Sequence, residues 1–213
     1  MAFAITNAFS GAQPPRFTGD AGGLPANTRT RPDRRRMVAL REARQALDHL
    51  PAGGETLHGL MPGTYDLMHL ILVLLGALGS AEQLRIATLS LSAKNVSEMA
   101  GLLDDGTVRR LDLLCSDFFR RHDREIFAGL VQEFQKRGQR VAAARSHCKV
   151  VTLALTDGRR YVLEGSANLR SNHNLEQFAL SRDARLHAFY DAWLAGMVTR
   201  HEIHESDRSA TGC

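Results

Sequence analysis

The stretch HCKVVTLALTDGRRYVLEGSAN, residues 147–168, places two runs rich in β-branched and apolar residues on either side of Thr156-Asp157-Gly158. A Gly-containing break of that length between two such runs predicts a β-hairpin. Pairing 147–155 with 159–167 brings His147 and Lys149 beside Gly165, Ser166 and Asn168. Alternate residues of an extended chain share a face, so His147 and Lys149 are expected on one side of the strand. Cys148 is expected on the other, turned into the packing layer as an inert thiol. A further strand, EQFALS (176–181), brings the carboxylate of Glu176 toward the same end.

Upstream, strands and helices alternate. A helix over 34–50, with Met37, Leu40, Ala43 and Leu47 on one stripe, is stopped by PAGG. ETLHGLM (55–61) reads as a strand, and 64–79 as a buried helix with Thr64 at its N-cap. LRIATLSL (84–91) and VRRLDLLCS (108–116) read as strands around a helix over 95–106. Residues 117–138 read as one long amphipathic helix, burying Phe119, Ile126, Leu130 and Phe134 and closed by Gly138. QRVAAA (139–144) is a strand. A last helix over 183–201 is expected to plug the core with Leu186, Phe189 and Trp193. This order predicts an α/β fold with a mixed β-sheet flanked by helices. The chain divides into a basic N-terminal arm over 1–50, disordered to about residue 33 and carrying the first helix, a domain over 51–203, and a flexible tail over 204–213.

An apolar fraction of 44% and a charged fraction of 23% suit a globular domain. Cys115, Cys148 and Cys213 are too few and too irregularly spaced for a disulfide framework or zinc knuckle, and point to a reducing compartment. The longest apolar run, 67–79, is interrupted by His69 and short for a bilayer, so no membrane association is expected. The N-terminus lacks the positive region of a secretion signal, and a cytoplasmic location is expected. The net charge of +4 arises wholly in residues 1–50, which hold eight arginines and four acids, concentrated in TRTRPDRRR (28–36). Such an arm suits nucleic-acid phosphates, and a solvated tail has the same composition. His201 and His204 have the i, i+3 spacing of paired ligands but no third partner, so neither metal nor cofactor is expected.

The cluster around the hairpin suits phosphoryl transfer. A neutral imidazole attacks phosphorus when one ring nitrogen is free, and a carboxylate on the other fixes its tautomer. An ammonium and a side-chain amide offset charge on the equatorial oxygens. Gly165 permits close backbone approach, and the Ser166 hydroxyl can donate to a phosphate. Arg145 and Arg170 flank the cluster as candidate phosphate contacts or surface ion pairs. Turn chemistry also explains Gly, Ser and Asn in a loop, though not their register with His147.

His147-Cys148-Lys149, Gly165-Ser166-Ala167-Asn168 and Asn174-Leu175-Glu176 together resemble the signature of the phospholipase D superfamily, H-x-K-x4-D followed by G-S-x-N. The order of elements over about 55–198 is similar to half of a two-motif enzyme, and closest to the small bacterial endonucleases with one motif per chain. The resemblance implies His147 as covalent nucleophile, Lys149, Ser166 and Asn168 on the phosphate, and Glu176 orienting His147. It also implies a homodimer, in which His147 of the partner subunit acts as general acid. The pattern's aspartate falls at Ala154. Three functions compete on these grounds: a metal-independent nuclease for DNA or RNA, a weak or inactive nucleic-acid-binding or assembly protein that Ala154 favours, and a phospholipid phosphodiesterase.

Overall fold

Asp33 opens the first helix by accepting the N–H groups of Arg35 and Arg36, at 3.1 and 3.2 Å, on its carboxylate. The computed structural model describes residues 33–204; the first 32 residues of the basic arm and all but the first residue of the tail lie outside them. The elements run α1 (Arg34–Ala46), β1 (Thr56–Met61), α2 (Leu67–Leu78), β2 (Ala81–Ala87), α3 (Ala93–Asp104) and β3 (Leu111–Ser116). They continue with α4 (Asp117–His122), α5 (Arg124–Gln135), β4 (Arg140–Ala144), β5 (Val150–Leu155), β6 (Arg160–Gly165), β7 (Glu176–Ser181) and α6 (Ala184–His201).

The seven strands form one mixed sheet in the order β1-β7-β6-β5-β2-β3-β4. β2, β3 and β4 are parallel, and β5 runs antiparallel against β2, with Ala87 opposite Val150. The β5–β6 hairpin has the register expected from the sequence, with Val150 opposite Glu164 and Ala154 opposite Arg160. Gly158, at φ 91°, takes the left-handed turn position that glycine adopts without steric cost.

One face of the sheet carries the larger core. Ala39, Ala43 and Leu47 of the first helical segment join it, so the helix assigned to the basic arm packs as part of the folded body. Leu67, Met68, Leu70, Ile71, Leu74 and Leu75 of α2 are all buried. Each such aliphatic side chain removed from water contributes about 1.5–3 kcal/mol. Among the described residues no helix is long and apolar enough to cross a membrane. The other face carries α6, whose Leu194 and Val198 meet Ala87, Leu114, Ala142 and Ala144. Polar contacts lock α6 in place: Asp112 on β3 accepts from Arg85 at 2.8 Å and from Arg140 at 2.8 and 2.9 Å. Asp191 on α6 pairs with Arg85 and accepts from Thr152 at 3.1 Å.

Three local expectations are corrected. The N-cap of α2 is Asp66, which accepts the His69 N–H at 3.1 Å, while the Thr64 hydroxyl donates to Glu42. The helix expected over 117–138 is two helices broken at Asp123, at φ −108° and ψ 52°. The break lets Phe119 and Phe127 bury together with ring centroids 6.2 Å apart. Asp is a poor interior helix residue because its carboxylate competes for local backbone donors, and here it leaves the helix to pair with Arg170. Phe189 is 67% exposed rather than a core plug, and Trp193 only packs against the rim of the α6 cluster. Leu186 is likewise half-buried.

Cys115 lies fully buried in β3, and burial pushes its thiol up to about 12 from an ordinary 9.0. Above pH 9 the unfolded thiol releases its proton while the folded one keeps it, so stability falls as pH rises. Between pH 9 and 10.5 this group alone removes about 2 kcal/mol, at 1.36 kcal/mol per pH unit. Urea titrations across that range are expected to show a shallower decline for Cys115→Ala than for the wild type.

Candidate active site

The chain leaves β4 at Ala144 and enters β5 at Val150, on the far side of β3 and β2. Residues 145–149 therefore cross the carboxyl ends of those strands, where open α/β sheets bind their ligands. His147 and Lys149 lie on this crossing and not within the strand. His147 is exposed, and Lys149 is 7% exposed. The Lys149 ammonium folds back, donating to the His147 carbonyl at 2.8 Å and to Nδ1 of its ring at 3.1 Å. Burial holds the ammonium's pKa below its usual value, against the opposing pull of Glu176 and Cys148. Cys148, expected in the packing layer, is exposed, because the crossing lacks a sheet partner on that side.

The hairpin delivers Gly165 and Ser166 to the same edge, with the Gly165 N–H donating to the Lys149 carbonyl at 3.2 Å. Ser166 continues the β6–β7 ladder: its N–H donates to the Gln177 carbonyl at 3.1 Å and its Oγ accepts from the Gln177 N–H at 3.0 Å. A cleft of about 560 Å³ joins His147, Lys149, Gly165 and Ser166 to His58, Glu164 and Tyr190. A second cleft, of about 470 Å³, adjoins His147 from the other side and includes Arg145, Arg121, Phe118 and His122. His147 thus stands on the ridge between two clefts.

Asn168 and Glu176 occupy a different, narrow crevice with Arg170 and Asp66. Asn168 Oδ1 accepts from the Leu89 N–H at 3.2 Å, tying the loop after β6 to the end of β2. Glu176 accepts from the Asn172 amide at 2.9 Å. Its negative charge favours the ammonium of Lys149, so the carboxylate acts on the lysine across the site. Arg170 is paired with Asp123 at 3.3 Å, whereas Arg145 is exposed with no ion pair among the described residues. Asp66, buried at the start of α2, also accepts from Ser171, which anchors the loop between Asn168 and Glu176.

No family model matches the sequence, and no curated protein matches it. Solved structures do. Nuc, a phospholipase D family member from Salmonella typhimurium, aligns over 71% of this chain and 99% of its own, with a TM-score of 0.53 at 13% identity. NucT from Helicobacter pylori aligns over 70% of this chain and 99% of its own, with a TM-score of 0.50 at 16% identity. The chain has the phospholipase D fold. Within that fold the region around His147 contains side chains that the sequence did not single out, among them His58, Phe118, Arg121, His122, Glu164 and Tyr190. Tyr190 donates to Glu164 at 2.6 Å, and that bond, with burial, pushes the phenol up to about 12. Phe118 did carry a sequence signal. In the adjacent pair Phe118-Phe119 a single amphipathic face accommodates only one ring, so the other must leave the core.

Gly165 is required for strand packing as well as for backbone access. A Cβ there would lie 2.2 Å from the Gln177 carbonyl oxygen and 3.0 Å from Phe178 Cα, both backbone atoms of β7. Gly165→Ala is expected to cost about 1–3 kcal/mol of stability, read from the urea midpoint at constant m-value, through the strain of overpacking.

Proposed function

We propose that this protein is a metal-independent phosphodiesterase that cuts nucleic acid through His147. The observation that carries the reading is an exposed imidazole on a ridge between two clefts, with a buried ammonium 3.1 Å from its Nδ1. The phospholipase D fold supports the same class of chemistry. In the resting arrangement Lys149 occupies the imidazole lone pair. A phosphodiester entering the site competes for the ammonium and frees that lone pair for attack. The new P–N bond forms as the bond to the leaving oxygen breaks, and that oxygen takes a proton from a general acid. Water then attacks the phosphohistidine, the P–N bond breaks, and the general-acid group, now a base, takes the water's proton. Lys149 stabilises charge on the equatorial oxygens, Ser166 and Arg145 contact the phosphates, and Asn168 braces the loop behind them through the Leu89 N–H. The general acid is His147 of the partner subunit in a homodimer, because each chain carries one motif.

Cleavage of DNA and RNA in excess EDTA tests this. Wild type is expected to cut, and His147→Ala to lose at least about a thousandfold in rate with fold and oligomeric state unchanged. Dependence of cutting on added divalent metal, or undiminished cutting by His147→Ala, overturns the reading. A second reading, a nucleic-acid-binding protein without catalysis, is favoured by the hydrogen bond that engages Glu176 with Asn172 rather than with His147. Salt-sensitive binding without cutting by either protein selects it.

A further inference from the structure

Phe118 is 57% exposed at the start of α4, while its neighbour Phe119 is fully buried. The exposed ring is held firmly. His122 stacks on it with centroids 3.9 Å apart and planes at 22°, and its Nδ1–H donates to the Phe118 carbonyl at 2.8 Å. That bond fixes the imidazole and through it the phenyl ring, so a flat aromatic surface is presented with little freedom left to lose.

The pair lines the cleft of about 470 Å³ that ends at His147, a volume in the range of small-ligand sites. Arg121 and Arg145 line it too, both exposed and neither in an ion pair among the described residues. Asp117 is the one carboxylate on its wall. An aromatic plane bordered by unpaired guanidinium groups is complementary to a nucleotide, whose base stacks while its phosphates meet the arginines.

We propose that Phe118, backed by His122, is a nucleobase platform that makes the site selective for single-stranded nucleic acid, which rests on the nucleic-acid reading of the same site. A base lies flat on an aromatic ring only when its own face is free of its neighbours, so a paired and stacked duplex cannot use the platform without opening. The phosphate 5′ or 3′ to the stacked base then passes along Arg121 and Arg145 toward His147.

The test is binding, measured by anisotropy on a His147→Ala background so that no strand is cut. Three labelled probes are compared: a single-stranded oligonucleotide, the same strand with abasic positions, and its duplex. Phe118→Ala is expected to weaken binding of the single strand by about tenfold or more. Phe118→Trp is expected to restore it, and binding of the abasic strand and duplex should not change. Unchanged single-strand affinity, or an equal loss on all three probes, overturns the platform. A shift of Phe118→Ala from dimer to monomer on gel filtration also overturns it, since the ring would then be a subunit contact. The two proposals fail separately. Phe118-dependent binding in a wild-type protein that never cuts leaves the platform standing and removes the nuclease. Cutting through His147 with a Phe118→Ala variant that binds normally does the reverse.

Discussion

The site depends on how far five residues must stretch. β4 and β5 are three strand spacings apart in the sheet, about 14 Å at 4.7–4.9 Å per spacing. Ala144 also stands two residues beyond the level of Val150, because it pairs with Ser116 while Val150 pairs with Ala87 and Ala87 with Leu114. Together these offsets require about 16 Å between the two Cα atoms. Six peptide steps provide at most about 20–22 Å. The crossing can hold neither a helix nor a deep loop. It runs extended over the ends of β2 and β3, with Arg145, His147 and Cys148 exposed and Lys149 buried where the chain rejoins the sheet at Val150. A taut, shallow crossing of this kind leaves His147 on the ridge between the two clefts.

The loops beneath that crossing are joined to one another by short polar ties. Asn168 binds the Leu89 backbone, the Leu169 N–H donates to Thr88 Oγ1 at 3.2 Å, and the Ser116 hydroxyl donates to the Leu89 carbonyl at 2.7 Å. The loops that follow β2, β3 and β6 are therefore one cross-braced rim. Asp66 extends the brace to α2 through Ser171. On the outer side, β7 is clasped by glycines. A Cβ at Gly59 would lie 2.3 Å from the Phe178 ring, which covers the bare β1 backbone opposite its register partner. An aromatic ring over a strand glycine replaces the missing side-chain packing at a sheet edge.

Much of this was legible in the chain. The hairpin register follows from the Thr156-Asp157-Gly158 break and the two runs around it, and it alone places Gly165 beside Lys149. The helix and strand order followed from periodicity. What periodicity does not report is where a strand begins within an apolar run. Val150 and Val151 are continuous with His147-Cys148-Lys149 in pattern, and only the position of β4 shows that 145–149 is a bridge. The break at Asp123 was hidden for a similar reason, since both halves of 117–138 are amphipathic and the interruption carries no Gly or Pro. Asp66 was passed over because Thr64, another good capping residue, precedes it by two. Phe189 has the helical spacing of a core residue, and its orientation is settled by which helix face the sheet accepts.

The alanine at the position of the pattern's aspartate is also a matter of distance. Ala154 lies four residues along β5 from Val150, about 13 Å from the edge that carries His147. Val151, Leu153 and Leu155 enter the larger core, so Ala154 is out of phase with them and shares the α6 face with Thr152. A carboxylate at 154 would therefore stand a strand's length away from His147 and on the face covered by α6. It would act on the packing of that face. That face already has its charges matched, with Asp112 between Arg85 and Arg140 and Asp191 held by Arg85 and Thr152. A small apolar side chain beside that network leaves no charge uncompensated, so Ala154 belongs to the packing of the α6 face.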